Sequence, residues 1–197
     1  MSDKVLNTSA KKASFEDYLT TERPGGGREG AKTISNRWHN LLVSNIVISL
    51  GTRIRSSGKS EMYINTMRVR LKNGSICYPD VVIAGAEPSF ADQNSDLLLN
   101  PTVVFEIISR GTNSTDKAQK LENYLAMDSI KECVMLKEDE MRAEHYSRQN
   151  AKQWIYRIYN ERDDVISLES VNCKISLSEI YSQIKFGQAE FSSTAVN

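Results

Sequence analysis

What this chain has little of narrows its chemistry first. Histidine occurs only twice, at His39 and His145, and without His-Glu-x-x-His spacing, so a histidine-based zinc site is not expected. Its three cysteines, Cys77, Cys133 and Cys173, are far apart and odd in number. That pattern excludes a disulfide framework and a zinc knuckle, and leaves free thiols in a reducing compartment as the expectation. Net charge is absent, because 25 Lys plus Arg balance 25 Asp plus Glu. No global basic field draws nucleic acid, and any such contact needs a local patch. No apolar run is long enough to span a bilayer. Met1-Ser2-Asp3-Lys4 lacks the basic-then-apolar layout of a secretion signal. A cytoplasmic protein without a membrane role is the expectation. The 197 residues suffice for one domain with a sizeable core.

Residues 1–12 are polar and expected to be loose, 13–186 to form the single domain, and 187–197 to be a disordered tail. Ser14 to Leu19 reads as a short helix, broken by Pro24-Gly25-Gly26-Gly27. Ser35 to Leu50 has helical apolar spacing and is expected to end near Gly51. Glu61 to Ile64 and Met67 to Leu71 alternate as strands, Asn73-Gly74 marks a hairpin turn, and Ser75 to Ala84 is the returning strand. A polar loop over 85–99 precedes an apolar strand, Thr102 to Ile108. A helix over about Thr115–Met127, capped by Ser114 or Thr115, comes next. Cys133–Leu136, Arg142–Tyr146, Trp154–Tyr159 and Val165–Leu168 read as strands. Ser176 and Glu179 have capping-box spacing for a last short helix. The order predicts an α/β fold, a mixed sheet with flanking helices.

Glu106 carries the most information. It interrupts Thr102-Val103-Val104-Phe105-Glu106-Ile107-Ile108, where a carboxylate meets a large desolvation cost unless something pairs with it. A second acid, Asp80, opens the apolar run Asp80-Val81-Val82-Ile83-Ala84. If the two strands are neighbours in register, the carboxylates meet at one end of the sheet. Asp116, Lys120 and Tyr124 are spaced by four on the next helix, which lets Lys120 reach over both acids. Hard oxygen ligands suit Mg²⁺, with Mn²⁺ as substitute. A metal that polarises a phosphoryl oxygen, with a lysine beside its bound water, is the equipment of phosphodiester hydrolysis.

The string Pro79-Asp80, Glu106-x-Ile108-Ser109 and Asp116-x-x-x-Lys120-x-x-x-Tyr124 resembles the PD-(D/E)XK nuclease superfamily. More narrowly it is similar to the Uma-type restriction endonucleases, long filed as a domain of unknown function. The likeness starts at Phe15-Glu16-Asp17-Tyr18-Leu19, passes through His39-Asn40, Tyr78-Pro79-Asp80 and Asn100 to Glu106, and ends near Leu177-x-Glu179-Ile180-Tyr181. It implies a restriction-endonuclease-like fold, DNA as substrate and a homodimer. It implies Asp80 and Glu106 as metal ligands. Ile108 stands where the superfamily lysine falls, so Lys120 from the helix takes that role, with Tyr124 like the tyrosine of a Gln-x-x-x-Tyr motif. One departure is an early hairpin acid: where the family shows Glu-x-x-x-Gly-Glu, this chain has Gly27-Arg28-Glu29-Gly30. Either Glu29 completes the metal site or the acid is missing, with Glu22 and Glu16 poorer substitutes.

Blander alternatives stand beside these. A metal-free Glu106–Lys120 ion pair competes with the metal site. Asp116 either supports its helix N-terminus or positions Lys120. Ser109 is a strand-end residue with a supporting role open to it. His39 reads as a packed or surface histidine, and Trp154, Tyr156 and Tyr159 as packing or interface residues. A catalytically degenerate member of the fold, working as a binding or assembly module, is the rival to a metal-dependent endonuclease.

Overall fold

The structure, a computed structural model, describes residues 36–91 and 93–186. The expected helix at Ser14–Leu19, the glycine loop at 24–27, Glu16, Glu22, Glu29 and the tail from 187 lie outside the described residues.

The first described helix, α1 (Arg37–Ser57), is capped by Asn36, whose side chain accepts from the His39 N–H at 3.0 Å. Leu42, Ile46, Leu50 and Ile54 recur every fourth residue and are fully or nearly fully buried. Burial of each contributes roughly 1.5–3 kcal/mol before entropy is counted. The helix does not stop near Gly51, as the glycine predicted. It runs on through Ile54, because that stripe continues, and ends at Gly58 with φ +61°.

The central sheet has six strands: β1 (Glu61–Ile64), β4 (Val81–Ala84), β6 (Pro101–Ile108), β7 (Glu132–Lys137), β8 (Ala143–Asn150) and β9 (Gln153–Tyr159), in the spatial order β1-β4-β6-β7-β8-β9. Only β6 and β7 are parallel, joined by the helix α2 (Ser114–Leu125), and every other neighbour pair is antiparallel. The expected mixed sheet flanked by helices is what the chain forms.

Both faces of the central strands β4, β6 and β7 are covered. On one lie α1, the hairpin of β10 (Val165–Leu168) and β11 (Cys173–Ser176), and the short helix α3 (Leu177–Ile180), which meet Val81, Val103, Phe105 and Val134. On the other lie α2 and a small sheet of β2 (Arg68–Arg70), β3 (Ile76–Cys77) and β5 (Leu97–Leu98), which meet Val82, Val104, Ile108 and Met135. Coverage on both faces explains why β6 is an almost unbroken apolar run. Among the described residues no helix is long and apolar enough to cross a membrane.

Two expectations fail at strand ends. Ser75–Ala84 is not one strand: β3 pairs with β2 around Gly74 (φ +88°), whereas β4 joins the large sheet. Pro79 has no N–H to give a ladder, so Tyr78-Pro79-Asp80 turns the chain from one sheet to the other. Residues 85–99 are not wholly loop either, since Leu97–Leu98 runs parallel to β2.

Candidate active site

The antiparallel register of β4 and β6 pairs Val82 with Val104 and Val81 with Phe105, which brings Asp80 beside the Glu106–Ile107 segment. Asp80 Oδ2 accepts the Ile107 N–H at 2.8 Å. Its Oδ1 lies 3.0 Å from His39 Nε2, in the first turn of α1. Glu106 is 2% exposed. Its Oε1 accepts the Tyr124 hydroxyl at 2.5 Å, and its Oε2 accepts Lys120 Nζ at 3.2 Å. The two acids, the lysine and the tyrosine named from sequence therefore converge at the C-terminal end of β6.

Local sequence explains the helix that carries the lysine. Asn113, rather than Ser114 or Thr115, caps α2: its Oδ1 accepts the Asp116 N–H at 2.7 Å. Its Nδ2 donates to Asp116 Oδ2 at 2.8 Å, so Asp116 serves the helix N-terminus. Ser109 is 3.0 Å from the Thr112 hydroxyl and shapes the turn between β6 and α2. Both act on the site by fixing where α2 begins.

The electrostatics of two buried glutamates differ in an informative way. Glu106 pairs across the sheet with Met135, and Met135 with Glu144, so both acids occupy one row on the α2 face. Lys117, one turn before Lys120, holds Glu144 with both oxygens at 2.8 Å. Arg142 Nε and the Tyr146 hydroxyl also donate to it, at 3.4 and 3.1 Å. Burial alone pushes the Glu144 carboxyl up, but these donors overcome it and hold the group below its ordinary value. Glu106 goes the other way. Burial raises it, the negative charge of Asp80 raises it further, and Lys120 and Tyr124 do not offset both. Lys120 is held above its ordinary value, because Glu106 and Asp80 outweigh its own burial. Burial also pushes the nearby Cys77 thiol up to about 12, where it stays protonated beside Tyr124.

The donor chemistry fits a hard divalent cation. Among the described residues no three His, Cys, Asp or Glu side chains converge on one position. Mg²⁺ does not require three, since it is commonly held by one or two carboxylates with waters and substrate oxygens completing an octahedron. A dication on Asp80 and Glu106 would also relieve the repulsion that Glu106 experiences. Glu144, already satisfied by two cations and a hydroxyl, has no such need.

Sequence inspection missed three members of this neighbourhood. His39 is packed, one of the two expectations for it, but its contact with Asp80 was not foreseen. Glu144 carried a signal in the alternation of Arg142 to Tyr146, and Lys117 in its three-residue spacing from Lys120. Neither signal says which strand lies next to β7. Of the aromatics on β9, Trp154 sits under Arg148 and Tyr156 stacks on Tyr146, while Tyr159 falls on the other face near His145.

The family model described as Uma2, putative restriction endonuclease, matches residues 29–178. An uncharacterized protein of Synechocystis sp., sll1609, is 29% identical over 118 residues, covering 59% of this chain. The match spans 66% of that relative, just under two thirds of its length. The crystal structure of a putative nuclease belonging to DUF820 from Anabaena variabilis matches with a TM-score of 0.65 and 15% identity, over 77% of this chain and 84% of that one. At that identity the likeness speaks for the fold alone.

Proposed function

This chain belongs to the Uma2 family, described as putative restriction endonucleases, and from that premise we propose that it is a metal-dependent endonuclease that hydrolyses phosphodiester bonds in DNA. The observation that carries this is the buried pair Asp80 and Glu106, side by side at the ends of neighbouring antiparallel strands, with the Glu106 carboxyl pushed up first by burial and then by the charge of Asp80. Asp80 and Glu106 would hold Mg²⁺ or Mn²⁺. When bound, the metal supplies Lewis-acid polarisation of a phosphoryl oxygen and a water of lowered pKa.

The chain's own groups supply the rest. The Ile107 N–H and His39 orient the Asp80 carboxylate, and the Tyr124 hydroxyl orients that of Glu106. An ammonium has three N–H donors. Lys120 uses one on Glu106, and its side chain is 51% exposed, so the others can face a substrate phosphate or an attacking water. In that position it offsets charge developing on the phosphoryl oxygens.

The test is incubation of the purified protein with plasmid DNA, with and without Mg²⁺ or Mn²⁺, beside Asp80→Ala and Lys120→Ala. Metal-dependent cleavage by the wild type, lost in Asp80→Ala and Lys120→Ala, is expected. Equal cleavage by Asp80→Ala would remove the proposal.

One observation favours a second reading. Each oxygen of the two acids already has a partner within the protein, which a metal-free binding or assembly module of the same fold would also display. Calorimetry with Mn²⁺ separates the two, since that module takes up no metal.

A further inference from the structure

We infer that the outer face of the β8–β9 hairpin, exposed among the described residues, is a stacking platform for an unpaired nucleotide of the substrate strand, a reading that rests on the nuclease proposal above. α2 covers β6 and β7 and reaches β8 through Lys117, but β9 lies beyond it. On that face Tyr156 pairs with Tyr146 and Ile158 pairs with Glu144. The Tyr146 and Tyr156 rings stack with centroids 4.8 Å apart and planes at 26°, so the ring of Tyr156 is held by its neighbour. Tyr156 is nevertheless 48% exposed and Ile158 45% exposed. A pre-ordered aromatic ring open to solvent, next to an apolar side chain, is what a base needs for stacking.

Charge and position select the occupant. The row that holds Glu106 continues through Met135 and Glu144 to Ile158, three strands away, or about 14 Å at ~4.8 Å per strand. That is about four stacked nucleotides at ~3.4 Å each, and fewer in an extended strand. Cations mark the path: Lys120, then Lys117, then Arg142 beside Glu144. The acid between them, Glu144, is 6% exposed and faces those cations rather than solvent. A strand leaving the site therefore meets positive charge first and a ring next, the combination that tracks single-stranded nucleic acid.

The experiment is fluorescence anisotropy with labelled single-stranded DNA and with the same strand carrying abasic positions. Ca²⁺ replaces Mg²⁺, and wild type, Tyr156→Ala and Tyr156→Phe are compared. About tenfold weaker binding by Tyr156→Ala, near wild-type binding by Tyr156→Phe, and a penalty for abasic DNA that disappears in Tyr156→Ala are the expected results. Wild-type affinity in Tyr156→Ala, while DNA is still bound, overturns the platform and leaves the nuclease proposal standing. No binding of single-stranded DNA by the wild type overturns the platform, and no binding of duplex DNA in the same assay overturns the nuclease proposal as well. If sedimentation shows a wild-type dimer that Tyr156→Ala converts to monomer, the face joins two copies of the chain and the platform is overturned.

Discussion

Asp80 Oδ2 accepts the backbone N–H of Ile107, the residue immediately after Glu106, at 2.8 Å. This one bond locks the relative position of the two carboxylates, because it ties the side chain of one to the main chain that carries the other. In the proposed metal site, affinity depends on both acids together. A divalent ion at 100 times its Kd stabilises the folded state by about 2.7 kcal/mol. At roughly 2–4 °C per kcal/mol for a chain of this size, Mn²⁺ is expected to raise the Tm by about 5–11 °C. In Asp80→Asn and Glu106→Gln that increment falls to near zero, as read by thermal denaturation with Mn²⁺ against EDTA.

Tyr124 is 1% exposed and gives its hydroxyl to Glu106 Oε1. Tyr124→Phe leaves a buried carboxylate oxygen without that donor while keeping the ring in the core. A loss of about 1.5–3 kcal/mol is expected, the range for a hydrogen bond to a charged group. Urea denaturation in EDTA measures it.

Lys117→Met removes the closest cation from Glu144, leaving Arg142 and Tyr146. Breaking a buried pair typically costs about 3–5 kcal/mol, and the remaining donors reduce this to about 2. The pH dependence has a definite sign. The Glu144 carboxyl is held below its ordinary value, so its pairing stabilises the fold above the unfolded pKa of about 4.3 and is lost as pH falls through the lower folded value. The gap between wild type and Lys117→Met is therefore full at pH 7 and narrows below about pH 4, as followed by urea midpoints across that window.

Arg148 on β8 donates to the carbonyls of Leu125, Met127 and Ile130 at 2.8, 2.7 and 2.8 Å and lies 4.2 Å over the Trp154 ring. It closes the C-terminal end of α2, the helix that carries Lys120. Lysine cannot reproduce a planar fork that serves three acceptors. Arg148→Lys is expected to cost about 1–3 kcal/mol by urea denaturation.

Much of the fold was legible because local rules governed it. The strand around Glu106, the Asn73-Gly74 turn, Val165–Leu168 and the Ser176–Glu179 capping box all form as their residues indicate. Gly51 misled because a glycine inside a long apolar stripe costs only about 1 kcal/mol against alanine, less than burial of Ile54 returns. Ser75–Ala84 misled because a strand can leave one sheet for another at a proline without losing its apolar pattern. The acids, Lys120 and Tyr124 were legible for a similar reason: charge within an apolar run and four-residue helical spacing are both local signals.

By itself, then, the sequence determined which side chains belong to strands and helices, and that two carboxylates must sit inside a core. Four-residue spacing put Lys120 on one helix stripe with Asp116 and Tyr124, and the family resemblance gave it its role. Only the tertiary structure decided which strands are neighbours, and with that the contact of His39 with Asp80, the Lys117–Glu144 pair in the row of Glu106, and the bare ring of Tyr156. Those relationships join residues 10 to 41 positions apart. Side-chain periodicity tells a residue which face it occupies but not which strand lies beside its own, and that choice is made by packing over the whole sheet.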